Sequence, residues 1–160
     1  MRNMGINVPR IYASLDNKQE EYKSHMIEVE GMINNQTITI LIDLGASHSY
    51  IDPRMMESLH FPRNKHEKSS LVQLATRAKG KVNEMVKSCL MDMNGLNTKI
   101  DFKIFPLGSY DCLIGMDWLD QHHALLDCHN KSFTCLDEEG KLRKVQGIPR
   151  VVTIREISAL

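Results

Sequence analysis

Nothing in this chain is concentrated enough to announce a partner. Lysine plus arginine and aspartate plus glutamate number 20 each, so no bulk field draws the protein to nucleic acid or to an anionic membrane. No apolar run approaches the roughly 20 residues needed to cross a bilayer, and Met1-Arg2-Asn3-Met4-Gly5 carries no apolar signal core. The four cysteines, Cys89, Cys112, Cys128 and Cys135, form no Cys-x-x-Cys pair. Reduced, mostly buried thiols in a soluble cytoplasmic protein are therefore expected, and no neighbouring histidine supports Cys89 or Cys112 as a thiol nucleophile. The seven histidines fall into no paired ligand sets, even where His122 and His123 approach Cys128, His129 and Cys135, so no metal is expected. A phosphate-binding glycine loop and a dinucleotide fingerprint are both missing, and no cofactor is expected. The single tryptophan, Trp118, and the ten methionines read as core material.

The 160 residues are one domain's worth of chain. Residues 1–23 are polar and irregular and read as a linker or arm, 24–147 as the folded domain, and 148–160 as a tail. Within the domain, His25 to Ile33 and Gln36 to Asp43 alternate as a hairpin around Asn34-Asn35. A short strand over His48 to Ile51 and a helix opening at Asp52-Pro53 follow, the helix turning Met55, Met56 and Leu59 inward. Arg63 to Ser69 reads as a charged loop. Leu71 to Ala75 and Val82 to Met91 read as strands, and Asn94-Gly95 turns the chain into a further strand over Lys99 to Phe105. Leu113-Ile114 is a short buried strand, Met116 to His122 a short helix, and Ala124 to Cys128 with Ser132 to Leu136 a late hairpin. Many short strands separated by turns predict an all-β barrel or sandwich with one or two short helices.

The most informative stretch is Ile38-Thr39-Ile40-Leu41-Ile42-Asp43-Leu44-Gly45-Ala46-Ser47. Ile38, Ile40 and Ile42 share one strand face, as a half-buried strand requires, and the strand delivers Asp43 onto a tight turn. A carboxylate so placed can be catalytic, structural or a turn former. A fainter repeat lies downstream: Ile40-Leu41-Ile42-Asp43-Leu44-Gly45 and Cys112-Leu113-Ile114-Gly115-Met116-Asp117 both run from apolar strand to turn to short helix. In the second copy Gly115 stands where Asp43 stands in the first.

Asp43, Gly45 and Ala46 resemble the acid loop of the retropepsin family, the aspartic proteases of retroviruses and long-terminal-repeat retrotransposons. A second block, Phe105 to Leu119 with Ile114-Gly115 before Trp118-Leu119, is similar to the later segment of gypsy-type retrotransposon proteases. The likeness covers roughly residues 25 to 147. It implies a retropepsin-like closed barrel and an aspartic endopeptidase that cuts extended segments of its own polyprotein, in the cytoplasm or in virus-like particles. It makes Asp43 the catalytic acid, with Leu44, Gly45 and Ala46 shaping its loop and Ile114 and Gly115 its floor. Ala75, Thr76, Arg77, Ala78, Lys79, Gly80 and Lys81 fall in the flap that covers substrate, with Gly80 at its flexible tip.

Aspartic proteolysis needs two carboxyl groups sharing a proton. Asp101, Asp111, Asp117, Asp120 and Asp127 are the other candidates, and none precedes glycine in a matching turn. One carboxylate per chain predicts a homodimer whose twofold axis passes between two copies of Asp43. Leu44 departs from the family, whose serine or threonine hydroxyl there bonds across the dimer. Losing such a bond costs on the order of 1 kcal/mol. On the resemblance alone, Leu44→Ser should tighten the dimer, and a catalytically weak or inactive peptide-binding module is the alternative function.

Overall fold

The computed structural model describes residues 26–73 and 79–149. The expected arm at 1–23 and most of the expected tail at 148–160 lie outside them. β1 (Met26–Ile33) and β2 (Gln36–Asp43) form the hairpin read from the sequence, paired from Met26↔Asp43 to Ile33↔Gln36. Asn34 and Asn35 close it with φ of 50° and 64°, the left-handed pair that two-residue hairpin turns require. β3 (Tyr50–Ile51) is shorter than expected. It leads into α1 (Arg54–Leu59), which buries Met55, Met56 and Leu59. Asp52 starts that helix by accepting the Arg54 backbone N–H at 2.8 Å.

β4 (Asn64–Gln73) and β5 (Lys79–Met93) are antiparallel, and β6 (Leu96–Ile104) follows across Asn94-Gly95. The expected charged loop at Arg63 to Ser69 is thus mostly strand. β4 pairs only with β5 among the described residues, and an edge strand tolerates charge that a central strand would reject. β7 (Cys112–Ile114) and α2 (Met116–Gln121) come next, then β8 (Leu125–Asp127), β9 (Ser132–Leu136) and β10 (Leu142–Gln146). β10 was not legible as a strand because Arg143 and Lys144 interrupt its apolar pattern; only Val145 is buried there.

The sheet order β1-β2-β7-β3-β6-β5, with β5 pairing back onto β1, closes six strands into a barrel. At the closure Gly31 lies opposite Met93. A Cβ on Gly31 would sit 2.5 Å from the Asp92 carbonyl oxygen, so only glycine lets the strands meet. β8, β9 and β10 form a separate three-stranded sheet. Among the described residues the architecture is an all-β closed barrel with two short helices: of the barrel and sandwich that the turn-rich pattern allows, it is the barrel.

Trp118 anchors α2 as expected. It is buried, stacks on His122 at 4.1 Å between ring centroids and meets the edge of Phe133 at 6.2 Å. Its Nε1 donates to Thr98 Oγ1 at 3.0 Å, and Thr98 in turn donates to Glu138 at 2.8 Å. Phe133 is wholly buried in the larger core cluster. Phe133→Ala is expected to cost about 3–5 kcal/mol by leaving a cavity, measured by urea unfolding.

Candidate active site

β7 is slotted between two strands from early in the chain. It runs parallel to β2, with Ile40, Leu41 and Ile42 beside Cys112, Leu113 and Ile114, and antiparallel to β3, with Tyr50 opposite Leu113. This register is the alignment of the two half-repeats. It brings Asp43, at the end of β2, and Gly115, just past β7, to the same edge of the sheet. β2 is more enclosed than a half-buried strand. Ile38, Ile40 and Ile42 enter the larger cluster, while Leu41 packs on the other face with Met26, Ala46, Tyr50 and Leu113. Asp43 shares that second face, opposite Met26.

Asp43 is 2% exposed. Its Oδ1 accepts the Gly45 N–H at 2.8 Å, and its carbonyl accepts the Ala46 N–H at 3.3 Å. Burial pushes the carboxyl up to about 6, against the opposing pull of the Gly45 N–H. A carboxyl tuned in this way exchanges its proton under mildly acidic conditions. Ala46 is buried beneath the turn, whereas Leu44 is exposed. Ile114 is wholly buried. A Cβ on Gly115 would lie 2.2 Å from the His48 carbonyl oxygen and 2.7 Å from that of Ala46.

The turn is tied to α2 by backbone bonds from Met116 N to Ala46 O at 2.7 Å and from Asp117 N to Ser47 O at 3.1 Å. Ser49 completes the lock. Its Oγ donates to Asp117 Oδ1 at 2.7 Å and accepts the Gly115 N–H at 3.0 Å, while its N–H reaches Asp117 Oδ2 at 3.2 Å. Sequence reasoning weighed Asp117 only as a second acid and missed Ser49, because their meeting depends on a register that no local pattern displays. Ser49→Ala strands the buried Gly115 N–H and is expected to cost about 1–3 kcal/mol, read from thermal unfolding.

The remaining candidate acids lie away from the acid turn's hydrogen bonds. Asp111 accepts from Thr39 N and Oγ1, Asp101 from Ser88 N, and Asp127 from Asn130; Asp120 is exposed on α2. Of the flap residues, Ala75, Thr76, Arg77 and Ala78 lie outside the described residues. Lys79, Gly80 and Lys81 belong to β5, paired with Gln73, Val72 and Leu71. Gly80 is therefore in a strand rather than at the hairpin tip, because β5 begins one residue before it.

All four cysteines are free, and burial pushes the Cys89 thiol up to about 12 and the Cys112 thiol well above its usual range. That leaves no thiolate for nucleophilic attack at either position. Among the described residues no group of three or more His, Cys, Asp or Glu side chains is arranged to hold a metal ion, and no helix is long and apolar enough to cross a membrane.

A closed barrel whose strand ends in a buried aspartate on a glycine turn, braced by a second strand-turn-helix unit, is a retropepsin-like fold. Residues 6–141 match the retroviral aspartyl protease family, and the chain belongs to that family. Among solved structures, the retroviral protease-like domain of Ddi1 from Leishmania major shares the fold. It is 18% identical, with a TM-score of 0.57 over 78% of this chain and 94% of that one. No curated protein sequence matches the chain.

Proposed function

We propose that this chain is the protease of a gypsy-type retrotransposon polyprotein, a homodimeric aspartic endopeptidase that cuts extended segments of its own precursor. The observation that carries this is Asp43, a buried carboxyl raised to about 6 at the end of β2, in a loop matching Asp-x-Gly-Ala. Two copies of Asp43 meet across a twofold axis and hold one proton between them, since neighbouring carboxylates cannot both ionise. The charged member takes a proton from water, and the resulting nucleophile attacks the scissile carbonyl carbon. The protonated member gives its proton to the carbonyl oxygen. Collapse of the tetrahedral intermediate breaks the C–N bond, and the amine leaves with a proton returned by the dyad.

Leu44, Gly45 and Ala46 shape the acid loop, and Ile114 and Gly115 form its floor. Residues 75–81, which include the first residues of β5, cover a substrate bound as an added strand, with backbone bonds giving affinity and side-chain pockets giving selectivity. The segments at 1–23 and 148–160 act as junctions toward neighbouring polyprotein regions. Leu44 supports a second function, peptide binding without cleavage, because it removes a hydroxyl from the loop. Pepstatin-sensitive cleavage of an unfolded peptide library at mildly acidic pH, lost in Asp43→Asn, is the expected result. Equal silence from both proteins at high concentration would leave the binding module.

A further inference from the structure

Leu44 follows Asp43 and Met116 follows Gly115, so the two hold the same place in the two half-repeats. Both side chains are large, apolar and exposed, at 39% and 36%. The backbone bonds from Met116 to Ala46 and from Asp117 to Ser47 make the acid turn and the start of α2 one continuous surface. Folding of the protomer does not need either side chain: Ala46 fills the space beneath the turn, and Trp118 and Leu119 anchor the helix. The other large exposed apolar residues among those described, Met32, Leu71, Leu90, Leu125 and Leu142, lie on β1, β4, β5, β8 and β10 rather than on the acid turn or α2.

We infer that Leu44 and Met116 form an apolar seam on which a second copy of this chain seats. The seam replaces, by buried area, the hydroxyl bond that a serine or threonine at position 44 would make. This rests on the homodimeric protease proposed above. The occupant is a second copy because the site bordered by these side chains holds one carboxyl and is incomplete without another from the same loop. A twofold axis placed between two Asp43 side chains sets each Leu44 and Met116 against the same surface of its partner.

The seam reverses the effect expected of Leu44→Ser from family resemblance. Serine removes apolar area from the exposed acid turn, so the dimer loosens rather than tightens. Sedimentation velocity of the full chain over a concentration series tests this, with circular dichroism showing that each variant keeps the wild-type fold. Leu44→Ala, Met116→Ala and Leu44→Ser are each expected to raise the dimer dissociation constant about tenfold or more, because every substitution acts twice per dimer. Unchanged dissociation constants for both alanine variants, or a tighter Leu44→Ser dimer, would overturn the seam and leave the protease intact. A wild-type chain that stays monomeric at every concentration would overturn both.

Discussion

Asp43→Asn is expected to abolish peptide cleavage and, at neutral pH, to make the folded protomer harder to unfold. The first effect follows from losing the general acid and base on both halves of the site, a rate loss of roughly 10³-fold or more. The second follows from proton linkage. Burial raises the Asp43 carboxyl from 3.8 in the unfolded chain to about 6 in the folded one. Its contribution to stability is therefore fully present below pH 3.8 and is lost as pH rises through about 6. The shift corresponds to about 3 kcal/mol less stability at pH 7 than at pH 3 from this group alone. Asparagine carries no charge to desolvate and retains an oxygen for the Gly45 N–H. Urea unfolding of dilute protein at pH 4 and pH 7 measures the difference. The variant should gain relative to wild type only at the higher pH, and an equal change at both would show that desolvation of Asp43 is not the cause.

Gly115→Ala is expected to give the largest loss of stability of any single methyl addition near the site. The new carbon would fall 2.2 Å from the His48 carbonyl oxygen and 2.7 Å from that of Ala46. Both obstacles are backbone, so no rotamer change relieves them. The acid turn and the start of α2 must separate, which breaks the Met116–Ala46 bond and disturbs the lock made by Ser49 and Asp117. A cost of about 3 kcal/mol or more is expected, with peptide cleavage lost in parallel. Chemical denaturation and the cleavage assay check the two effects together. A variant as stable as wild type would mean that this close approach is not required.

The strands and the acid turn were legible because each rests on local chemistry. The β1–β2 hairpin has its asparagine pair, β6 its alternation through Ile100 and Phe102, and α1 its Asp-Pro start. The placement of Gly115 was legible because the half-repeat aligns residue for residue with the parallel register of β2 and β7. β10 escaped because Arg143 and Lys144 are exposed and only Val145 is buried, and the first half of β4 because its charged residues read as a loop. The bracing of the acid loop also escaped. Ser49 and Asp117 are 68 residues apart, and neither stands in a sequence pattern that points to the other. The enclosure of β2 on both faces required knowing that Met26 and Leu113 would flank Leu41.

The late insertion of β7 between β2 and β3 has a bearing on when the acid loop comes into being. Thr39 and Asp111, which bond at 2.9 Å, are 72 residues apart, and Ser49 and Gly115 are 66 apart. Contacts of such long separation form slowly, since a large loop must close before they contribute. During synthesis Asp43 is made well before β7, the strand that flanks β2 and places Gly115 beside the acid turn. The acid turn therefore cannot take its braced form until β7 and α2 have followed β2.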